Sequence, residues 1–243
     1  MQIKELEDYP WFPPLLRRFQ TEIIGEIAVQ VQAYKALSQP VGAMIRRHSL
    51  TRMVDLCSGS GKPALALHKA VGMAEIPLFC TDLYPASLQP NPGYIVVYTP
   101  VDVLNFTCEK GVMYTMLNAF HHFDDNQKKA IIQQMIKQRA CFVFVEILKP
   151  GVLSFLQVCV ASVVGTLLFT PFIRPFSCLR LGLTYLLPIN ILTVLIDGIL
   201  SVFRSTNKTK LKKIFASDIE NGQLDVVERF SFPVFITYIQ SSY

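Results

Sequence analysis

The sequence predicts an α/β chain: a Rossmann-like, mostly parallel sheet with a closing antiparallel strand, plus an apolar helical insertion between strand five and the last strands. Three observations carry that prediction. Short apolar runs recur from residue 52 to residue 148 with helical patterns between them, the alternation that gives parallel strands joined by crossovers. Val54-Asp55-Leu56-Cys57-Ser58-Gly59-Ser60-Gly61 reads as a strand running straight into a glycine turn. Residues 152–203 are dominated by apolar side chains and nearly free of charge.

The elements follow in chain order. Residues 14–35 carry Leu15, Leu16, Phe19, Ile23, Ile24, Ile27, Val31 and Tyr34 at helical spacing after a Trp11-Phe12-Pro13-Pro14 turn, so one helix is expected there. Trp11 is expected to be a packing anchor. At the strand-to-helix turn, Gly59 and Gly61 let backbone N–H groups approach a ligand with no Cβ in the way. A helix over 62–71 follows, with Pro63 in its first turn and Gly72 past its end. Leu78 to Asp82 is a second strand ending in a carboxylate, where nucleotide-binding folds place an acid for ribose hydroxyls. Pro85, Pro90 and Pro92 in the next link disfavour a second crossover helix. A third strand, Tyr94 to Thr99, leads to Asp102. A fourth, Val112 to Leu117, ends at Asn118-Ala119-Phe120-His121-His122-Phe123. Asp124 and Asp125 read as an N-cap for a helix over 126–137, and Cys141 to Leu148 is the fifth strand. Leu224 to Phe232 and Val234 to Gln240, parted by Pro233, are the closing antiparallel pair.

The order Val-Asp-Leu-Cys-Ser-Gly-Ser-Gly, Thr-Asp-Leu-Tyr-Pro, Val-Asp-Val-Leu, Asn-Ala-Phe-His-His-Phe resembles the class I S-adenosylmethionine-dependent methyltransferases. Leu186-Leu187-Pro188, the stretch from Asp197 to Arg204, Ile236 to Ile239 and the Trp11-Phe12-Pro13 opening are similar to a bacterial branch of that superfamily with a hydrophobic insertion. The resemblance implies S-adenosyl-L-methionine as cofactor. It places Asp55, Cys57, Gly59 and Gly61 around the methionine and ribose moieties, Asp82 and Leu83 at the ribose, Asp102 and Val103 at the adenine, and Asn118 beside the methyl donor. Cys57 stands where most members carry the first glycine of the turn. The implied layout is a single domain: an N-terminal helical cap (1–48), a cofactor-binding core (49–149), the insertion (150–204) and a closing helix and strands (205–243). The N-terminal helix is then expected to cover the cofactor or substrate mouth.

Composition limits the alternatives. The 243 residues give a core large enough to need no metal or disulfide staple. The net charge of +5 has no aromatic-interleaved basic stripe, so no nucleic-acid partner is expected. Six cysteines without Cys-x-x-Cys spacing, and no basic-then-apolar leader, point to reduced, mostly buried thiols in the cytoplasm. Residues 152–173 hold no charge and 181–203 only Asp197, with Arg174 and Arg180 between them. Each stretch approaches the ~20 residues of a bilayer span. A spanning hairpin, a lid dipping into the membrane surface and a soluble insertion remain open, because hydropathy does not separate buried core from lipid-facing surface. Asp197 and Arg204, seven apart, are expected to form a buried ion pair if that segment is helical.

For chemistry, His121 and His122 are the candidate bases, at the carboxyl edge where such sheets bind ligands and with side chains that titrate near neutrality. Glu146, ending strand five, faces an acceptor or holds a structural hydrogen bond. No metal ligand set is expected. The function expected is methyl transfer to a small lipophilic acceptor. An inactive, membrane-associated binding or scaffold protein is the alternative, and an NAD-dependent oxidoreductase is disfavoured because the third glycine of the dinucleotide fingerprint is missing.

Overall fold

The structure is a computed structural model, and it describes residues 4–231 and 234–242. Seven strands form one sheet in the order β3-β2-β1-β4-β5-β7-β6. They are β1 (Arg52–Leu56), β2 (Leu78–Cys80), β3 (Ile95–Val96), β4 (Val112–Leu117), β5 (Cys141–Glu146), β6 (Leu224–Ser231) and β7 (Val234–Ser241). Strands β1 to β5 pair in parallel, and β7 slots antiparallel between β5 and β6. β4 and β5 are buried at every position, as central strands covered on both faces must be. Phe232, expected to end the first closing strand, and Pro233, expected to part the pair, lie outside the described residues.

Ten α-helices are described, the first four being α1 (Pro14–Gln30), α2 (Ser38–His48), α3 (Lys62–Val71) and α4 (Asp125–Lys137). α1 stops short of the expected residue 35, because Gln32 takes a positive φ of 50° and turns the chain into a separate 3-10 turn, Lys35–Leu37. α4 starts as expected, with Asp124 accepting from Gln127 N and the Gln127 side chain returning the bond. The link from β2 to β3 holds only a 3-10 turn, Pro85–Ser87, and β3 is shorter than the sequence predicts. Trp11 stacks on Tyr9 yet stays 66% exposed, so it is not the buried anchor expected; Phe12 takes that place at 3%. Of the six cysteines, all free, only Cys80 and Cys141 are buried, fewer than expected.

The insertion is a helical hairpin lying along α1. Its first limb runs without a gap from Val152 to Phe172, from α5 (Val152–Val160) through a π turn into α6 (Thr166–Phe169) and a 3-10 end. α7 (Cys178–Leu181) continues as a π turn and meets α8 (Ile189–Arg204) at a bend of 76°. Short helices α9 (Lys208–Ile214) and α10 (Ala216–Glu220) lead to β6. The polarity of the hairpin is inverted. Ser162, Thr166, Thr170, Thr184, Asn190, Thr193, Asp197 and Ser201 point inward, while Val152, Leu153, Leu156, Leu168, Phe172, Leu186, Leu187 and Phe203 are exposed. A helix in water keeps the opposite arrangement.

Two sequence expectations fail here for one reason, the inward turn of the polar groups. Asp197 does not pair with Arg204; its carboxylate accepts from the amides of Leu6 (2.6 Å) and Glu7 (3.1 Å) and from Gln20 Nε2 (2.6 Å). Nor does Arg180, one of the two charges between the apolar stretches, stand at the outer limit expected of it if the insertion met lipid. It is 1% exposed, ion-paired with Glu22 of α1, and donates to the carbonyls of Ile173 and Pro175.

Candidate functional site

The carboxyl ends of β1, β2, β4 and β5 converge on one edge, and the candidate residues gather there. At β1 the turn is folded by its own polar groups: Ser58 Oγ and Thr81 Oγ1 both donate to the Asp55 carbonyl at 2.9 Å. Cys57, Gly59 and Gly61 have φ values of 55°, 55° and 72°, in the left-handed region that glycine tolerates best. Asp82 reaches back across the edge, one carboxylate oxygen accepting from Gly59 N and the other from Tyr84 N, both at 2.8 Å. Val101 N donates to the Asp82 carbonyl at 2.9 Å, which brings Asp102 and the buried Val103 to the same side. Asp102 itself caps a short turn through Leu104 N and Asn105 Nδ2. Leu83 is exposed.

α1 lies directly over this turn. A Cβ on Gly25 would stand 2.3 Å from Ser60 Oγ, a buried hydroxyl with no hydrogen-bond partner among the described residues, and a Cβ on Gly59 would touch Thr21. Tyr94 closes the other side, its ring 2.8 Å from where a Gly61 Cβ would be. Cys57 is half-buried against the apolar cluster that includes Leu56, Val103 and Phe120, and burial pushes its thiol well up, which disfavours the reactive thiolate.

Asp55 sits beneath the turn, 1% exposed, accepting from Thr115 Oγ1 at 2.6 Å. Burial raises its carboxyl to about 7, with the Thr115 bond opposing and the Asp82 charge adding. An acid raised in the folded state loses stability as pH climbs from its unfolded value, ~4, toward 7, on the order of 4 kcal/mol in all. Asp55→Asn keeps an acceptor for Thr115 without that cost. The variant should therefore gain thermal midpoint over the natural protein at pH 8 and show no gain at pH 4; a pH-independent difference would refute the buried-acid assignment.

Beyond β4, Asn118 takes a φ of 55°, donates its amide to Val145 O at 2.7 Å and accepts from Ile147 N through Oδ1 at 3.2 Å. The turn after it places His121 and His122 in an acidic nest that the sequence reading missed. His121 is 2% exposed, with Nδ1 2.8 Å from Glu146 Oε2, while its amide donates to Glu146 Oε1 at 3.1 Å. His122 Nδ1 is 2.8 Å from Asp8 Oδ1. Glu5, Glu7 and Asp8 come from the N-terminal segment, and Arg204, at the end of α8, pairs with Glu5 (3.3 Å) and Asp8 (2.7 Å) and donates to His122 O. The only local signal was an acidic run, Glu5-Leu6-Glu7-Asp8, with Lys4 as its one basic neighbour.

The charges follow from this packing. Burial works against the His122 cation, but Glu5, Asp8 and Glu7 outweigh it and lift the imidazole to about 10, so it is a donor at neutral pH. Burial also opposes the Glu146 anion, and His121 outweighs it and holds that carboxyl below its ordinary range. Burial raises Glu7 to about 8 against the pull of His122.

A sheet ordered 3-2-1-4-5-7-6, antiparallel only at β7, with an acid-tipped second strand beside a glycine turn, decides the fold. The fold is that of the class I S-adenosylmethionine-dependent methyltransferases. The plantazolicin methyltransferase BpumL, solved with a desmethyl substrate analogue and SAH, aligns over 95% of this chain and 97% of its own at 8% identity, with a TM-score of 0.51. LepI in complex with SAM aligns at 14% identity over 84% of this chain and 47% of its own, TM-score 0.49. Human N-acetylserotonin methyltransferase aligns at 12% identity over 89% and 54%, TM-score 0.47. The chain thus spans about half the length of the latter two. No family model and no curated protein matches the sequence.

Within this methyltransferase fold, Asp55, Gly59, Gly61 and Asp82 meet at one corner of the sheet edge. His121, His122 and Glu146 meet at another, with Asn118 between them in sequence on the β4 side.

Proposed function

We propose that the protein transfers a methyl group from S-adenosylmethionine to a small lipophilic acceptor while resting on a membrane surface. The observation that carries the cofactor part is the Asp82 carboxylate turned onto the amide of Gly59 beneath α1. The residues fit a nucleoside cofactor: two positive-φ glycines, the unpartnered Ser60 hydroxyl and a half-exposed acid at the second strand. Asp82, Gly59, Gly61 and Ser60 would hold it, with Asp102, Val103 and Asn118 around it. When bound, it supplies an electrophilic methyl carbon. The chain's own work is to orient the acceptor, exclude water and take up a proton from an O–H or N–H. His121, its ring fixed by Glu146, is the group of this reading that acts on that proton, and His122, a cation at neutral pH, stands beside it as a donor. Calorimetric titration should show saturable binding of S-adenosylmethionine and none of NAD; the reverse result would overturn the proposal.

The lipophilic acceptor and the membrane contact both follow from the inverted hairpin. Its outer face carries exposed Leu153, Leu156, Leu168, Phe172, Leu186 and Phe203, well beyond the isolated apolar residues of an ordinary surface. Its second limb is tied to α1 and the N-terminal segment through Arg180–Glu22 and through Asp197, and its first limb packs Gly165 closely against Ile27 of α1. The hairpin therefore lies in the interface plane and does not cross the bilayer. Expressed without detergent, the protein should stay in the membrane pellet through a high-salt wash, since salt screens charge and leaves apolar burial intact. Leu156→Glu with Phe172→Glu should release it. Recovery of the natural protein as a soluble monomer would defeat the membrane part alone.

A further inference from the structure

Beside the carboxyl end of β4, Glu5, His121 and His122 each bring one ligand atom to within 4.8 Å of the others. Both imidazoles have Nδ1 committed to an outer carboxylate, His121 to Glu146 and His122 to Asp8, each at 2.8 Å. That turns both Nε2 atoms inward onto the two oxygens of Glu5, at 3.6 and 3.7 Å, with Glu7 Oε1 3.5 Å from His122 Nε2. These separations are too long for good hydrogen bonds. They are slightly wider than the ~3.0–3.4 Å between neighbouring ligands of one ion whose bonds are ~2.0–2.1 Å long. A carboxylate on the far nitrogen of each ligating imidazole is the usual outer partner of a metal-bound histidine.

We propose that Glu5, His121 and His122 form a divalent transition-metal site of the two-histidine, one-carboxylate type, with Glu146 and Asp8 as its outer carboxylates and Glu7 at its rim. Two imidazoles with a carboxylate suit Zn2+ or Fe2+ and disfavour Mg2+ and Ca2+, which prefer all-oxygen shells. Charge supports this choice. The carboxyl groups of Glu5, Glu7, Asp8, Glu146 and Asp197 crowd the region, Arg204 pairs with two of them, and an ion would take the place of the proton that His122 carries without it. The guanidinium of Arg17 is turned to the carbonyls of Glu7 and Tyr9, and the Lys128 ammonium to Thr206. Three protein ligands leave positions open for water or an acceptor oxygen, which the ion would hold and polarise. The site goes beyond the methyl-transfer reading, since its ligand set is complete without the cofactor and, with an ion bound, His121 would ligate it instead of taking up a proton.

The test uses the full chain, freed of metal with a chelator and titrated calorimetrically with Zn2+ alone. One ion per chain is expected. Glu146→Gln and Asp8→Asn should each weaken binding ~10–100-fold, and Glu5→Gln or His122→Ala by more. No Zn2+ binding, or binding indifferent to all four changes, overturns the site. Pulsed electron paramagnetic resonance of the unaltered protein loaded with Cu2+ decides the matter even if the variants fail to fold: two coordinated imidazoles support the site, and one or none rejects it. Titrating the same samples with S-adenosylmethionine separates the two proposals, because loss of the metal site should leave cofactor affinity unchanged.

Discussion

Glu22→Ala is expected to destabilise the protein by about 3–5 kcal/mol, the usual cost of stripping the partner from a buried charge. Glu22 and Arg180 are both 1% exposed, so the change leaves a buried guanidinium without its counter-charge. The carbonyls of Ile173 and Pro175 would remain as acceptors, which solvates the cation in part but does not neutralise it. Arg18, the other partner of Glu22, is 27% exposed along its side chain, so Arg18→Ala should cost less than about 1 kcal/mol. The double change Glu22→Leu with Arg180→Met should recover much of the loss, because it removes both charges and keeps the volume. Urea unfolding of the set checks this; a loss below about 1 kcal/mol for Glu22→Ala would show that the pair is hydrated and the hairpin loosely docked.

Asp82→Ala should weaken S-adenosylmethionine binding by ~10–100-fold, the equivalent of one or two lost hydrogen bonds to a charged acceptor. The structure adds a second route to that loss. With the carboxylate gone, the amides of Gly59 and Tyr84 both lose their acceptor, so the turn that must meet the ligand is itself loosened. Asp82→Asn should fall between the two proteins, since its amide oxygen can keep one of those bonds. Equal affinities for natural protein and alanine variant in calorimetry would remove Asp82 from the site.

The sheet was legible because each strand carries its signal within a few residues: an apolar run, a polar tip, a turn. The same locality made the glycine turn and the Asp124 cap readable. Two things were not. The acidic nest joins Glu5 and Asp8 to His122 and Arg204 across more than 100 residues, and no local pattern encodes such a meeting. The hairpin misled for a different reason: its polar residues are spaced for one helix face, but spacing alone does not say whether that face looks inward or outward. Asp197 therefore read as a partner for Arg204, whereas three donors from the N-terminal side claim it. β3 shrank because the proline-rich link before it supplies no helix to pin that edge.

The way Glu5 to Asp8 is clasped by α8 also sets a schedule for synthesis. Chains emerge from the ribosome N-terminus first, yet these residues find Asp197 and Arg204 only after some 190 further residues have been made. Through that interval the amides of Leu6 and Glu7 lack their native acceptor, and the first limb of the hairpin, Val152 to Phe172, is out before its antiparallel partner exists. A nascent chain at that stage shows its greasiest segment with nothing docked beside it, which is when an insertase or a chaperone would meet it. The histidine corner is thus among the last parts to be completed, and a chain halted before residue 204 would carry a formed glycine turn beside an unfinished histidine cluster.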